Sequence, residues 1–170
     1  MKAAGMFLII ISCTAGGYAI SGKINLRMSQ INGFLDFFDY IIKSVTVYKY
    51  PIEKIFMLYS NAVLEECGFL EKLAKNGRVN GVYINPWKNS LAECREEQSF
   101  NLKDDEYKII SFFGERLGIG QLDEQLHHMT VCKDKLQSLY KEQNEKAVKD
   151  MKLYRLSGGL IGLFICILLI

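Results

Sequence analysis

The side chains best suited to chemistry are two adjacent histidines, several pairs of adjacent carboxylates, a Gly-Ile-Gly turn and five cysteines. His127 and His128 follow each other on a helical pattern, where neighbours point about 100° apart. A metal site or acid–base pair built on one helix needs partners three or four residues apart, and there is no other histidine to supply one. Glu65-Glu66, Glu96-Glu97 and Asp104-Asp105 have the same geometry and read as solvated faces and helix-start charges. Gly118-Ile119-Gly120 precedes a helix but lacks the Lys-Ser/Thr and the preceding strand of a phosphate-binding loop, so it reads as a turn between helices. Cys13, Cys67, Cys94, Cys132 and Cys166 contain no CxxC pair. They fit small buried hydrophobes in a reducing compartment better than a disulfide framework or zinc site. No catalytic residue, metal or cofactor is expected.

The elements that must position these residues begin with charge distribution. The chain has 170 residues, 49% of them hydrophobic, with a formal net charge of +2. That charge is too small for a strong nucleic-acid binder. Ala3–Ile20 and Leu156–Ile170 carry no charged side chain. As helices they would span roughly 27 Å and roughly 22 Å, against about 20 residues for a bilayer crossing. We therefore expect a transmembrane anchor at 1–22, a helical domain at 23–155 and a second anchor at 156–170. Ser12/Gly16, Cys13/Gly17 and Gly158/Gly162 repeat at the spacing that lets membrane helices approach. Lys23, Arg27, Lys149, Lys152 and Arg155 flank the apolar ends. They are expected to face the membrane surface, contact lipid headgroups and place the middle domain in the cytoplasm. A competing reading takes Ile10-Ile11-Ser12-Cys13 as a lipoprotein cleavage box, which would make the chain an extracytoplasmic binding or assembly protein lipidated at Cys13.

Periodicity makes the middle all-α. Ile24, Met28, Ile31, Leu35, Phe38, Ile42 and Val45 step by four and three, and this helix should end before Pro51. Ile52, Ile55, Phe56 and Tyr59 share a second face, with a break near Ser60–Asn61. Val63, Leu64, Cys67, Leu70, Leu73 and Ala74 form the next stripe, stopped by Asn76-Gly77. Asn76–Asn85 is the least regular stretch. Asn85 is positioned to cap a helix starting at Pro86 and carrying Trp87, Leu91 and Cys94. A further helix from about Asp104 has Tyr107, Ile110, Phe113 and Leu117 on one face. The last runs from Leu122 unbroken into the C-terminal apolar segment, its stripe including Met129, Lys133 and Leu136. First and last helices should lie antiparallel, giving a bundle of about six helices between two membrane helices.

Phe113-Gly114-Glu115-Arg116-Leu117-Gly118, then Asp123, Gln125 and His127-His128, then Lys152-Leu153-Tyr154-Arg155 and Leu156-Ser157-Gly158-Gly159-Leu160 resemble the stage III sporulation protein AB family of endospore-forming bacteria. The resemblance covers essentially the whole chain. It implies a component of a secretion-like channel between mother cell and forespore, sited in the cell membrane on the mother-cell side. The domain would be similar to the cytoplasmic helical domain of the type II secretion platform protein. The implied partners are a secretion-type cytoplasmic ATPase and other channel components. The far end of the bundle, with Pro51, Lys54, Pro86, Trp87, Glu115 and Arg116, is the expected docking region. On this reading Trp87→Glu should block docking and leave the fold intact.

Overall fold

The computed structural model describes residues 2–79, 82–83 and 85–168, without the side chains of 2–4, 6–7, 10, 78–79, 82–83, 166 and 168. Seven helices run through the described residues: α1 (Lys2–Thr46), α2 (Ile52–Leu58), α3 (Ala62–Glu66), α4 (Phe69–Lys75), α5 (Trp87–Glu96), α6 (Asp104–Glu115) and α7 (Leu122–Leu168). The fold is all-α. Among the described residues the one strand pairing is a two-residue antiparallel contact, β1 (Arg78–Val79) with β2 (Val82–Tyr83), inside the stretch expected to be irregular.

The chain divides into two compact units, Met1–Met28 with Glu142–Ile170, and Ser29–Lys141. In the larger unit α1 supplies the central wall. Ile31, Phe34, Leu35, Phe37, Phe38 and Ile41 are buried, while Ile42 and Val45 of the expected stripe are only half-buried. The buried face is wider than one stripe because short helices pack on it from both sides. Phe37 stacks on Tyr59 at 4.3 Å between ring centroids, Phe34 meets Phe69 of α4 edge-on at 5.2 Å, and Phe38 stacks on Phe113 of α6. α7 closes the same unit antiparallel to α1, with Met129, Cys132 and Leu136 buried. Lys133, expected on the apolar stripe, instead pairs with Asp39 of α1.

Local chemistry sets the boundaries. The Asn61 side chain accepts from the N–H groups of Val63 and Leu64 and starts α3 after the expected break. The stripe from Val63 to Ala74 is two helices rather than one, because Gly68 adopts a left-handed φ of 74° between α3 and α4. Buried Gln30 clasps the α5–α6 connection. Its amide donates to the Ser99 carbonyl at 3.1 Å and its carbonyl accepts from Asn101 N–H at 2.8 Å.

In the smaller unit, the two helical segments pack antiparallel and backbone to backbone. A Cβ at Gly17 would overlap the Tyr154 carbonyl, and one at Gly158 would collide with the Cys13 carbonyl. Of the expected small-residue pairs, Cys13/Gly17 and Gly158/Gly162 lie on the packed side, with Gly17, Gly158 and Gly162 buried; Gly16 opens onto empty space. The Arg155 guanidinium donates from Nε to buried Ser21 Oγ at 3.0 Å and lies over the Tyr18 ring. Among the described residues no helix is long and apolar enough to cross a membrane. Both expected anchors lie partly outside the described residues.

Candidate functional site

One end of the larger unit is built from the exit of α1, the start of α2, the α6–α7 turn and the start of α7. After Thr46 the chain turns back, and Tyr50 N–H donates to the Ser44 carbonyl at 3.2 Å. Lys49 takes a positive φ of 50° in this turn. The rings of Tyr48 and Tyr50 stack, and Lys54 Nζ sits 4.0 Å from the centre of the Tyr50 ring. The α6–α7 turn abuts α2, since a Cβ on Gly118 would stand 3.0 Å from Ile52 Cδ1. Gly118 and Gly120 both take positive φ, as a turn this tight requires. Gln125 holds it, accepting from Gly118 N–H and donating to the Gly120 carbonyl at 3.0 Å. Replacing Gln125 by alanine removes both bonds. We expect local opening to become easier by about 1 kcal/mol, a rise of about fivefold in amide exchange at 118–120, read by hydrogen–deuterium exchange.

Large apolar side chains stand exposed on these elements. Tyr48 is 51% and Ile119 63% exposed, and Val47, Met57, Leu58 and Leu122 are exposed as well. Pro51, Lys54, Glu115 and Arg116 are also exposed, on the elements where the sequence places them as docking residues. Pro86 and Trp87 are not. Both are buried, and Trp87 is fully enclosed. Its Nε1–H donates to the Ile110 carbonyl at 2.9 Å, and its ring packs among Phe37, Phe69 and Phe113. Gly114 is the complementary notch, because a Cβ there would occupy the space of the indole. Asn85 caps α5 as expected, accepting from Trp87 N–H at 3.1 Å, and its amide ties α5 to α6 through the Gly114 carbonyl at 2.7 Å. Trp87 is thus the centre of the core and takes no part in a docking surface.

The chemistry-bearing residues are placed as follows. His127 is exposed. His128 Nε2 lies 2.8 Å from the Phe112 carbonyl, and its ring meets the Phe112 ring edge-on. Cys132 Sγ is 3.7 Å from the same nitrogen, an i, i+4 pair that the focus on adjacent histidines misses. A carbonyl only accepts, so this Nε2 carries the proton and offers the thiol no lone pair. Burial also pushes the Cys132 thiol up. Both are opposite to what an activated nucleophile needs. Asp104 pairs with Arg95 and Glu97 with Lys72, each at 2.6 Å. Among the described residues no cluster of three His, Cys, Asp or Glu is set to hold a metal ion.

Cys67 and Cys94 are buried neighbours, with Cys94 Sγ 3.6 Å from the Cys67 carbonyl. Burial raises both thiols, Cys94 from 9.0 to about 12. Tyr59 rises from 10.0 to about 12, mainly through burial and secondarily through Asp36. In each case the folded state holds the proton more tightly than the unfolded chain. The stabilisation is therefore complete below the ordinary thiol range and is lost as pH rises toward about 12. We expect Cys67 and Cys94 to resist a maleimide near neutral pH until denaturant is added, read by mass spectrometry, and the melting temperature to fall steadily through that alkaline window.

In the smaller unit Lys23, Lys149, Lys152 and Arg155 are exposed, and Arg27 is half-buried. Beside them Leu8, Ile11, Leu156, Leu160, Leu163, Phe164 and Ile167 also stand exposed. A family model described as stage III sporulation protein AB matches residues 2–170. No curated protein and no solved structure matches the chain.

Proposed function

We propose, from the premise that the chain belongs to the stage III sporulation protein AB family, that it is a non-enzymatic, membrane-anchored adaptor of the secretion-like channel needed for endospore formation. The observation that carries the docking part is the exposure of the apolar side chains Val47, Tyr48, Ile119 and Leu122, on elements meeting at one end of the larger unit. Exposed aromatic and aliphatic anchors beside charged groups are the composition of a contact surface. Lys54 and Arg116 suit an acidic rim on a secretion-type ATPase or another channel component. The anchoring part rests on the smaller unit. Its exposed leucines, isoleucines and Phe164 suit lipid contact, and its basic residues suit anionic headgroups at about 1 kcal/mol each near the surface. The same basic flanks support a cytoplasmic side for the larger unit.

Tyr48→Asp with Ile119→Asp tests the docking. Both side chains are largely exposed, so the melting temperature should hold while co-purification of the ATPase from sporulating cells is lost. Full co-purification with a folded variant removes this end from the interface. Lys88→Cys, exposed on α5, tests the side of the membrane with an impermeant maleimide in protoplasts. Labelling only after permeabilisation supports the reading, and labelling of intact protoplasts replaces it with the extracytoplasmic reading built on Cys13.

A further inference from the structure

α6 carries a second apolar stripe besides the one that faces the core. Phe112 is 48% exposed and, with half-buried Ile109 and the edge of Cys132 on α7, lines a groove of about 450 Å³ between the two helices. The charged residues of this groove are not of one sign. Lys108 and Glu115 both line it, seven residues and roughly 10 Å apart on one face of α6, with Ser111 and Phe112 between them. The α6–α7 turn makes the two helices antiparallel. With Phe112 beside His128, Lys135 falls toward the Lys108 end. The groove is therefore cationic at one end, anionic at the other and apolar between. Among the described residues none of its three charged groups forms an ion pair.

We infer that this groove is a self-association face that takes the same groove of a second copy of the chain. A two-fold axis through the Ser111–Phe112 level sets Lys108 of each copy opposite Glu115 of the other and brings the two Phe112 rings together. This is the self-complementary arrangement that a two-fold interface requires. An acidic helix in the groove would meet Glu115, and a basic one would meet Lys108 and Lys135; only a partner of reversed polarity satisfies both ends. The face is small beside the roughly 1,200 Å² of a stable interface, so the pairing is weak and is best caught by cross-linking.

The experiment uses the full chain with Cys13→Ala and Cys166→Ala, Ser111→Cys added near the axis, and a short bis-maleimide; the same background without Ser111→Cys is the control. A dimer band that depends on Ser111→Cys is expected. Lys108→Glu should reduce it about tenfold, and the exchanged pair Lys108→Glu with Glu115→Lys should restore it, with unchanged circular dichroism throughout. Absence of the dimer band overturns the inference. So does a band indifferent to Lys108→Glu, or one that the exchanged pair fails to restore. Lys108→Glu alone leaves the residues proposed for docking untouched, so its loss of the dimer band with co-purification retained separates the two readings; Glu115 borders both surfaces, and the exchanged pair is read by the cross-link only.

Discussion

Trp87→Glu is expected to unfold the Ser29–Lys141 unit. Trp87 is fully buried, packs against rings from α1, α2, α4 and α6, and spends its one polar atom on the Ile110 carbonyl. Removing that side chain costs about 3–5 kcal/mol in a packed core. A carboxylate in the same place adds several kcal/mol of desolvation unless it takes up a proton. The sum is comparable with the whole stability of about 5–15 kcal/mol expected of a domain. Circular dichroism melting of the full chain should show the cooperative transition gone or shifted far down. Trp87→Phe keeps a ring and loses the hydrogen bond, and should fall between. A Trp87→Glu chain that melts like the parent would mean that the indole is not in the core.

Gly114→Ala should have the next largest effect for its size. One methyl group enters space already held by the Trp87 indole. Neither neighbour has room to give, since the indole is hydrogen-bonded to α6 itself and the Gly114 carbonyl is bound by Asn85. Overpacking of this kind costs about 3 kcal/mol where the surroundings are rigid. The coupling to Trp87 is the specific part. In a Trp87→Leu background the added methyl has room, so the double variant should be clearly more stable than the sum of the two single losses, measured by denaturant unfolding. Simple additivity would show that Gly114 matters for another reason.

These two residues also mark where the sequence is legible. Periodicity places the helices, with α3 and α4 run together, because burying an apolar face is a one-dimensional signal along the chain. It locates the stop before Pro51, the break before α3 and the cap at Asn85. It does not tell an exposed tryptophan from a central one, because Trp87, Leu91 and Cys94 look the same on a helical wheel wherever the helix is packed. The information that Trp87 is inside is held 27 positions away, in the missing side chain of Gly114. Gly68 is similar: the apolar stripe continues across it, and only the left-handed turn separates α3 from α4. The second stripe of α6 is hidden because Ile109 and Phe112 sit next to Ile110 and Phe113. Adjacent apolar pairs read as one broad face, although one member of each points to the core and the other to the groove. Of the expected docking residues, those in turns and at helix ends are exposed, and those next to the Asn85 cap are buried.

Ser21 and Arg155 bond across 134 positions of sequence, and Gly17 meets Tyr154 on the same seam. The two halves of the smaller unit are therefore synthesised far apart in time. At a ribosomal rate of about 5–20 residues per second, the first half waits many seconds before its complement exists. During that interval the short helices of the larger unit, which touch mainly their neighbours in sequence, have ample time to form. The glycine seam is then the last joint to close, and a chain cut short before Glu142 lacks the second half of that seam.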